Sequence, residues 1–279
     1  MEDIRKQAKT AEITAMRRKK RKLTLMSVAS IIVVLAVWQA LVSFEIVDTK
    51  FFCGPIEIIK AVIQKITDNG PDGSYLHEHI LASLEVVWIG FLLATVLGIT
   101  LGLFMGWFKR VDRIVRPVFE VLRPIPPLAW IPVIIVFLGV GVLSRGVIIF
   151  FGAFVSIVLN TYAGVRSTNQ TLINVAKTCG AKNFEIFVKV GIPSAMPMTF
   201  AGLRTAMGIA WGTIVAAEML GSSVGLGYFI KYGRTYCEVD LIIAGILVLG
   251  ICGQLSSKLI QAVERIVLKW RPRIDEKQI

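Results

Sequence analysis

Long apolar stretches separated by short polar or basic segments make up most of the chain. They fall at Leu25–Phe44, Ser83–Phe108, Ile125–Leu143, Gly146–Val165, Phe200–Leu220 and Leu241–Ile260. Most reach the ~20 residues a helix needs to cross about 30 Å of hydrocarbon. The pattern predicts an all-α polytopic membrane protein with about six transmembrane helices. A β-barrel would alternate apolar and polar positions over ten-residue strands, and no segment does so. The third stretch is short and proline-laden. It is open to two readings: a span of its own, or one arm of a re-entrant hairpin with the fourth. Between the first two stretches, Pro55–Ile66 has proline at a helix N1 position and isoleucine at 56, 59, 63 and 66. That spacing predicts an amphipathic helix lying along the membrane interface or against the bundle. Thr67–Ser74 is turn chemistry.

Composition agrees with the pattern: 55% of the 279 residues are hydrophobic and mean hydropathy is +0.69. The net charge of +12 would suit nucleic acid, but the basic residues flank the spans instead. The segments before span one, between two and three, between four and five, and after six, counted with Arg204 and Lys258 at the adjoining ends of spans five and six, hold 9, 5, 5 and 6 Lys or Arg, against 6 on the other side. The positive-inside rule then puts both termini in the cytoplasm, with the lipid bilayer, not nucleic acid, as the partner. Residues 1–24 form a basic cytoplasmic segment, 25–265 the transmembrane domain and 266–279 a cytoplasmic tail. The first apolar run is too long for a signal-peptide core and lacks a small-x-small cleavage site, so it reads as a retained span.

The second span places Gly90, Ala94, Gly98, Gly102 and Gly106 at every fourth position. Such a face lets helices approach closely in lipid, and the four glycines are assigned to packing. Gly202, Ala206 and Ala210 repeat the device in the fifth span, beside a second stripe of Gly208, Gly212 and Ala216. Pro124, Pro126, Pro127 and Pro132 crowd the start of the third span. Each deletes a backbone donor, so the segment is either irregular backbone lining a transport cavity or a loop whose prolines only start a helix. Glu85 and Glu218 lie near the outer ends of spans two and five, where snorkelling or an interhelical partner explains them better than ligand binding. His77 and His79 lack a third ligand for a metal. Cys53, Cys179, Cys237 and Cys252 show no paired motif, and a Cys53–Cys237 disulfide is left open. There is no phosphate-binding GxxxxGK[ST], and Gly225–Lys231 has the wrong spacing. No chain of buried acids or histidines forms a proton relay. Energy for any pumping must come from a partner.

The cytoplasmic stretch GAKNFEIFVKVGIP, Gly180–Pro193, suits docking of such a partner. Gly180 permits a tight bend. Phe184, Phe187 and Val188 fall on one side of a short helix, and Lys182, Glu185 and Lys189 mostly on the other. Pro193 is expected to stop the element before the fifth span. Val175–Pro197, VAKTCGAKNFEIFVKVGIPSAMP, resembles the EAA loop of ABC-importer permeases. Ala176, Gly180 and Pro193 match that motif, and Val190 and Ile192 replace its Ile and Leu conservatively. Asn174 and Val175 stand where Glu and the first Ala are usual. With RPIPPLAWIP, VAAEML and GLGYFI, the resemblance spans about residues 25–265 and points to the nitrate, sulfonate and taurine branch.

That resemblance implies a type I importer permease fold. It implies a homodimer of this chain, two cytoplasmic ATPase subunits and an extracytoplasmic solute-binding protein, in a bacterial inner membrane. The chain would hold no cofactor and be no enzyme; ATP and Mg would sit on the ATPase. Ala176, Gly180, Ala181, Lys182, Phe184, Glu185, Phe187, Ile192 and Pro193 would belong to the ATPase-coupling loop, within 166–199. Pro126, Pro127, Trp130, Trp211 and Glu218 are candidate translocation-path residues, the tryptophans equally suited to packing or interface roles. The implied substrate is a small anion, taurine or another alkanesulfonate first, with nitrate, bicarbonate or a thiamine precursor as alternatives. A secondary transporter or channel, or a membrane-embedded enzyme, would need polar relays or paired catalytic groups that the spans lack.

Overall fold

The computed structural model describes residues 23–44 apart from 24, 28 and 31, residues 53–70, and residues 72–270. Most of the basic N-terminal segment and the end of the C-terminal tail therefore lie outside the described residues. The chain divides into two compact units, Met1–Gln64 and Lys65–Ile279. In the first unit, α1 spans Leu25–Ser43, long and apolar enough to cross a membrane. The amphipathic helix forms as α2, Pro55–Thr67. Its Ile56, Ile59, Ile63 and Ile66 are exposed, and the Glu57 carboxylate accepts from the Gly54 N–H at 2.9 Å.

The second unit is built on three long helices: α3 (Leu76–Trp107), α6 (Val142–Arg166) and α9 (Ile192–Gly221). Between them α6 is the central element, packed along both α3 and α9. Its Ile149, Ala153, Ile157 and Thr161 are fully buried. Glycine explains how closely α3 approaches it. A Cβ added at Gly90 would lie 2.5 Å from the Gly146 carbonyl oxygen, and at Gly102 2.7 Å from Thr161 Cβ. At Gly106 it would lie 2.6 Å from Val165 Cβ, and at Gly98 3.0 Å from Ile157 Cγ2. On α9, Gly202 seats Asn160 in the same way. Gly208 and Gly212 differ: nothing lies within 4 Å of a Cβ there.

The third apolar stretch is not a continuous span. After the amphipathic α4 (Lys109–Leu122), a 3₁₀ turn (Pro127–Trp130) and the eight-residue α5 (Ile131–Leu138) follow at a bend of 83°. The arm 127–138 would extend about 18–20 Å, short of about 30 Å of hydrocarbon. Pro124 and Pro126 fall in the break, Pro127 and Pro132 sit in the first positions of the 3₁₀ turn and of α5, and Gly139, at φ 71°, ends the arm. Among the described residues five helices are thus long and apolar enough to cross, or six if the bent pair counts as one.

A second expectation fails at Pro193, which does not stop the element before the fifth span. Asn183–Gly221 is long and apolar enough to cross as one span. It consists of α8 (Asn183–Ile186), a π-helical turn (Phe187–Gly191) and α9, with Pro193 in the first turn of α9. Proline clashes with the carbonyl four residues back in an ordinary helix. The widened π turn displaces that carbonyl, so the helix passes through. Two further helices, α10 (Leu226–Tyr236) and α11 (Val239–Val267), complete the bundle after α7 (Gln170–Thr178). Arg204 on α9 pairs with Glu264 on α11. Cys179, Cys237 and Cys252 are free thiols, so the Cys53–Cys237 bridge is not formed.

Candidate functional site

The loop at the C-terminal ends of α3 and α6 is built by local chemistry. Asn169 caps α7, its side chain accepting from the Thr171 N–H at 2.8 Å. At the other end Gly180 adopts φ 81°. The Gly180 N–H donates to Lys177 O and the Ala181 N–H to Ala176 O. These two bonds form a Schellman motif, which needs the left-handed residue glycine supplies most cheaply. α8 then starts at once, and the Glu185 carboxylate accepts from the Lys182 N–H at 3.0 Å. Glu185 is thus a helix cap as well as an exposed charge.

The two phenylalanines part company. Phe184 is 64% exposed, whereas Phe187 is 4% exposed. Phe187 rests against Phe104, Trp107 and Phe108 at centroid distances of 5.5–6.0 Å. It is the anchor that holds the loop on α3. Gly191 allows the same approach, since a Cβ there would meet the Trp107 ring at 2.8 Å. At this tip Phe184, Val188, Lys182 and Lys189 are open. Ile192 is half-buried at the start of α9.

The candidate path residues do not share one site. Pro127 and Trp130 line a cavity of about 360 Å³ with Phe119, Phe154, Asn160 and Ile209. Trp130 stacks on Phe151 at 5.4 Å with the planes 9° apart. Pro126 is exposed beside it. Trp211 lies on the opposite face of α9, 3% exposed, against Gly253 of α11. Helical spacing puts Glu218, seven residues on, on the same side as Trp211. Neither residue lines that cavity.

Glu218 belongs instead to a buried polar cluster at the far end of the bundle. It is 0% exposed, and Ser83 Oγ of α3 donates to its carboxylate at 2.7 Å. This is the interhelical role expected of an acid at that depth. The cluster receives the start of α10. Three consecutive amides donate to buried side chains: Gly225 to His79 Nδ1 at 3.1 Å, Leu226 to Ser83 Oγ at 2.8 Å, and Gly227 to Glu218 at 2.7 Å. A helix N-terminus favours such a carboxylate. Glycine is required on contact grounds: a Cβ at 225 would fall 2.5 Å from the Glu218 carboxyl, and at 227 2.6 Å from Val215 O. His79 Nε2 faces Asp72 at 2.9 Å, and Lys65 pairs with the same carboxylate. Among the described residues no group of three or more potential ligands could hold a metal.

Sequence reading missed Asp72 and Ser83. The available signal was that His79 and Ser83 continue the buried face of α3 that the glycines mark.

Known proteins bear on this geometry. Residues 85–270 match the family model described as the binding-protein-dependent transport system inner membrane component. The chain is 30% identical over 257 residues to the taurine transport system permease protein TauC of Escherichia coli, covering 91% of this chain and 92% of that one. It is 35% identical over 243 residues to the nitrate import permease protein NrtB of a Synechocystis species, covering 86% and 87%. Among solved structures, an inward-facing crystal form of the MetNI methionine ABC transporter aligns with a TM-score of 0.58 at 20% identity, over 69% of this chain and 95% of that one. That level of identity speaks for the fold alone. The family match covers more than half of the chain and includes the α7–α8 loop, Glu218 and the start of α10, and so the chain belongs to the inner-membrane components of binding-protein-dependent transport systems.

Proposed function

We propose that this chain is the permease subunit of an ATP-driven importer for a small anion, with taurine or another alkanesulfonate as its solute. The observation that carries the reading is similarity along nearly the whole chain to a permease named for taurine transport. Nitrate is the second reading, favoured by the comparable match to a nitrate import permease. In this reading two copies of the chain pair, and both termini face the cytoplasm. The open stripe of Gly208 and Gly212 on α9 supports a second copy, because small residues otherwise leave that face without packing.

The α7–α8 loop serves as the handle for a cytoplasmic ATPase. Its support is mechanical. The Schellman turn, the Glu185 cap and the Phe187 anchor make a rigid tip that continues without a break into α9. A push on the tip therefore moves α9 as a body, and with it the wall of the 360 Å³ cavity at Ile209. ATP and Mg belong to the partner ATPase, and an extracytoplasmic binding protein delivers the solute. The test is uptake of labelled taurine in the native host with and without this gene, with nitrate and other sulfonates as competitors. Loss on deletion, relieved by no other gene and competed only by sulfonates, is expected. Unchanged uptake would remove taurine, and competition by nitrate would install the second reading.

A further inference from the structure

A second cavity, of about 520 Å³, opens at the far end of the bundle between the starts of α3 and α6 and the end of α9. Its wall carries one cation, Arg145, and one anion, Glu85. Among the described residues neither enters an ion pair, although both face the same space. Arg145 is held in place by neutral acceptors. Its Nε donates to Gly141 O at 3.2 Å and its Nη1 to Ser222 Oγ at 2.7 Å. Two of its five N–H donors are thereby used, and the rest of the guanidinium fork stays available for a planar or tetrahedral oxyanion. The buried Glu218 carboxylate acts on Arg145 electrostatically, while its hydrogen bonds come from Ser83 and Gly227. Val142, the first residue of α6, also lines the cavity, so the positive end of that helix adds to the Arg145 field. Glu85 is exposed at the cavity, and among the described residues it makes no hydrogen bond.

A cavity with a fixed cation and a separate, unengaged anion discriminates by charge pattern. A simple anion satisfies Arg145 and is repelled by Glu85. A solute carrying both an acid group and an ammonium satisfies both. We propose that this cavity is a subsite for a zwitterion, its sulfonate or carboxylate on Arg145 and its ammonium on Glu85. The proposal rests on the importer reading and deepens it, since it selects an aminosulfonate over a plain sulfonate or nitrate. Ser223 supplies a hydroxyl on the same wall for a remaining acid oxygen, while the Ser222 hydroxyl is committed to Val224 O.

The experiment uses the full chain purified with its ATPase, and two probes: taurine, and ethanesulfonate, which lacks the ammonium. Contact with the protein is read by saturation-transfer NMR, and uptake is read in proteoliposomes supplied with the binding protein. Glu85→Gln is expected to weaken taurine about tenfold and to leave ethanesulfonate unchanged or improved, as loss of one charge-assisted contact implies. Arg145→Gln should weaken both probes, and Arg145→Lys, which keeps the charge, should restore part of the affinity. Equal effects of Glu85→Gln on the two probes would overturn the zwitterion subsite. So would absence of direct taurine contact while uptake proceeds, which leaves the importer reading standing. Direct contact with the expected Glu85 dependence but no sulfonate uptake would uphold the subsite and refute the proposed transport substrate.

Discussion

Gly102→Ala adds one methyl group where α3 and α6 pack closely. The new carbon would lie 2.7 Å from Thr161 Cβ and 2.9 Å from Val158 O, both on α6. Ordinary carbon contacts are about 3.5–4.0 Å, so α3 and α6 must separate by roughly 1 Å. Neither obstructing atom is the far end of a flexible side chain, and Thr161 is fully buried. Overpacking of this kind costs about 1–3 kcal/mol. Alanine recovers up to about 1 kcal/mol of helix propensity. The net loss of about 1–2 kcal/mol corresponds to a Tm lower by about 2–8 °C for a chain of this size. The assay is thermal unfolding of the purified protein in detergent. Gly250→Ala is the control, because nothing lies within 4 Å of its Cβ and only the propensity gain remains. If Gly102→Ala melts at or above the wild-type temperature, α3 and α6 do not pack through this face and the packing account is wrong.

Other outcomes follow from the same geometry. Phe184→Ala should reduce copurification of the ATPase without changing Tm, whereas Phe187→Ala should lower Tm by removing the anchor on Phe104, Trp107 and Phe108; identical behaviour of the two would defeat the division of roles. Gly180→Val forces a β-branched residue to φ 81°, at about 1–3 kcal/mol of strain, and should uncouple ATP hydrolysis from uptake, while Gly180→Asn should be tolerated. Normal uptake in the valine variant would remove the loop from the coupling role. Glu218→Ala leaves the Gly227 amide and the Ser83 hydroxyl without their acceptor and should cost about 3 kcal/mol; Glu218→Gln, which keeps an acceptor, should cost less. Equal melting of the two variants would show that the cluster does not hold the start of α10.

Helix content, the centres of the long spans and the packing face of α3 were legible in the sequence, because each is a pattern that a single helix expresses by itself. The loop was legible for the same reason. A glycine between two short amphipathic segments specifies a Schellman turn whatever lies around it. Burial was not legible. Phe184 and Phe187 are alike in sequence, and only the end of α3 beneath the loop decides that one is an anchor and the other a tip. Pro193 misled for a related reason. Proline stops an ideal helix, but a π turn four residues earlier shifts the offending carbonyl, and that turn is stabilised by packing against Trp107. Trp130 and Trp211, paired as candidates by residue type, were separated by the opposite faces of α9. The clusters that join distant segments were decided by tertiary structure alone. Asp72, His79, Ser83, Glu218 and the Gly225–Gly227 amides meet across the fold, as do Glu85 and Arg145 on one cavity wall. Local periodicity records which face of a helix is buried, but not which partner buries it.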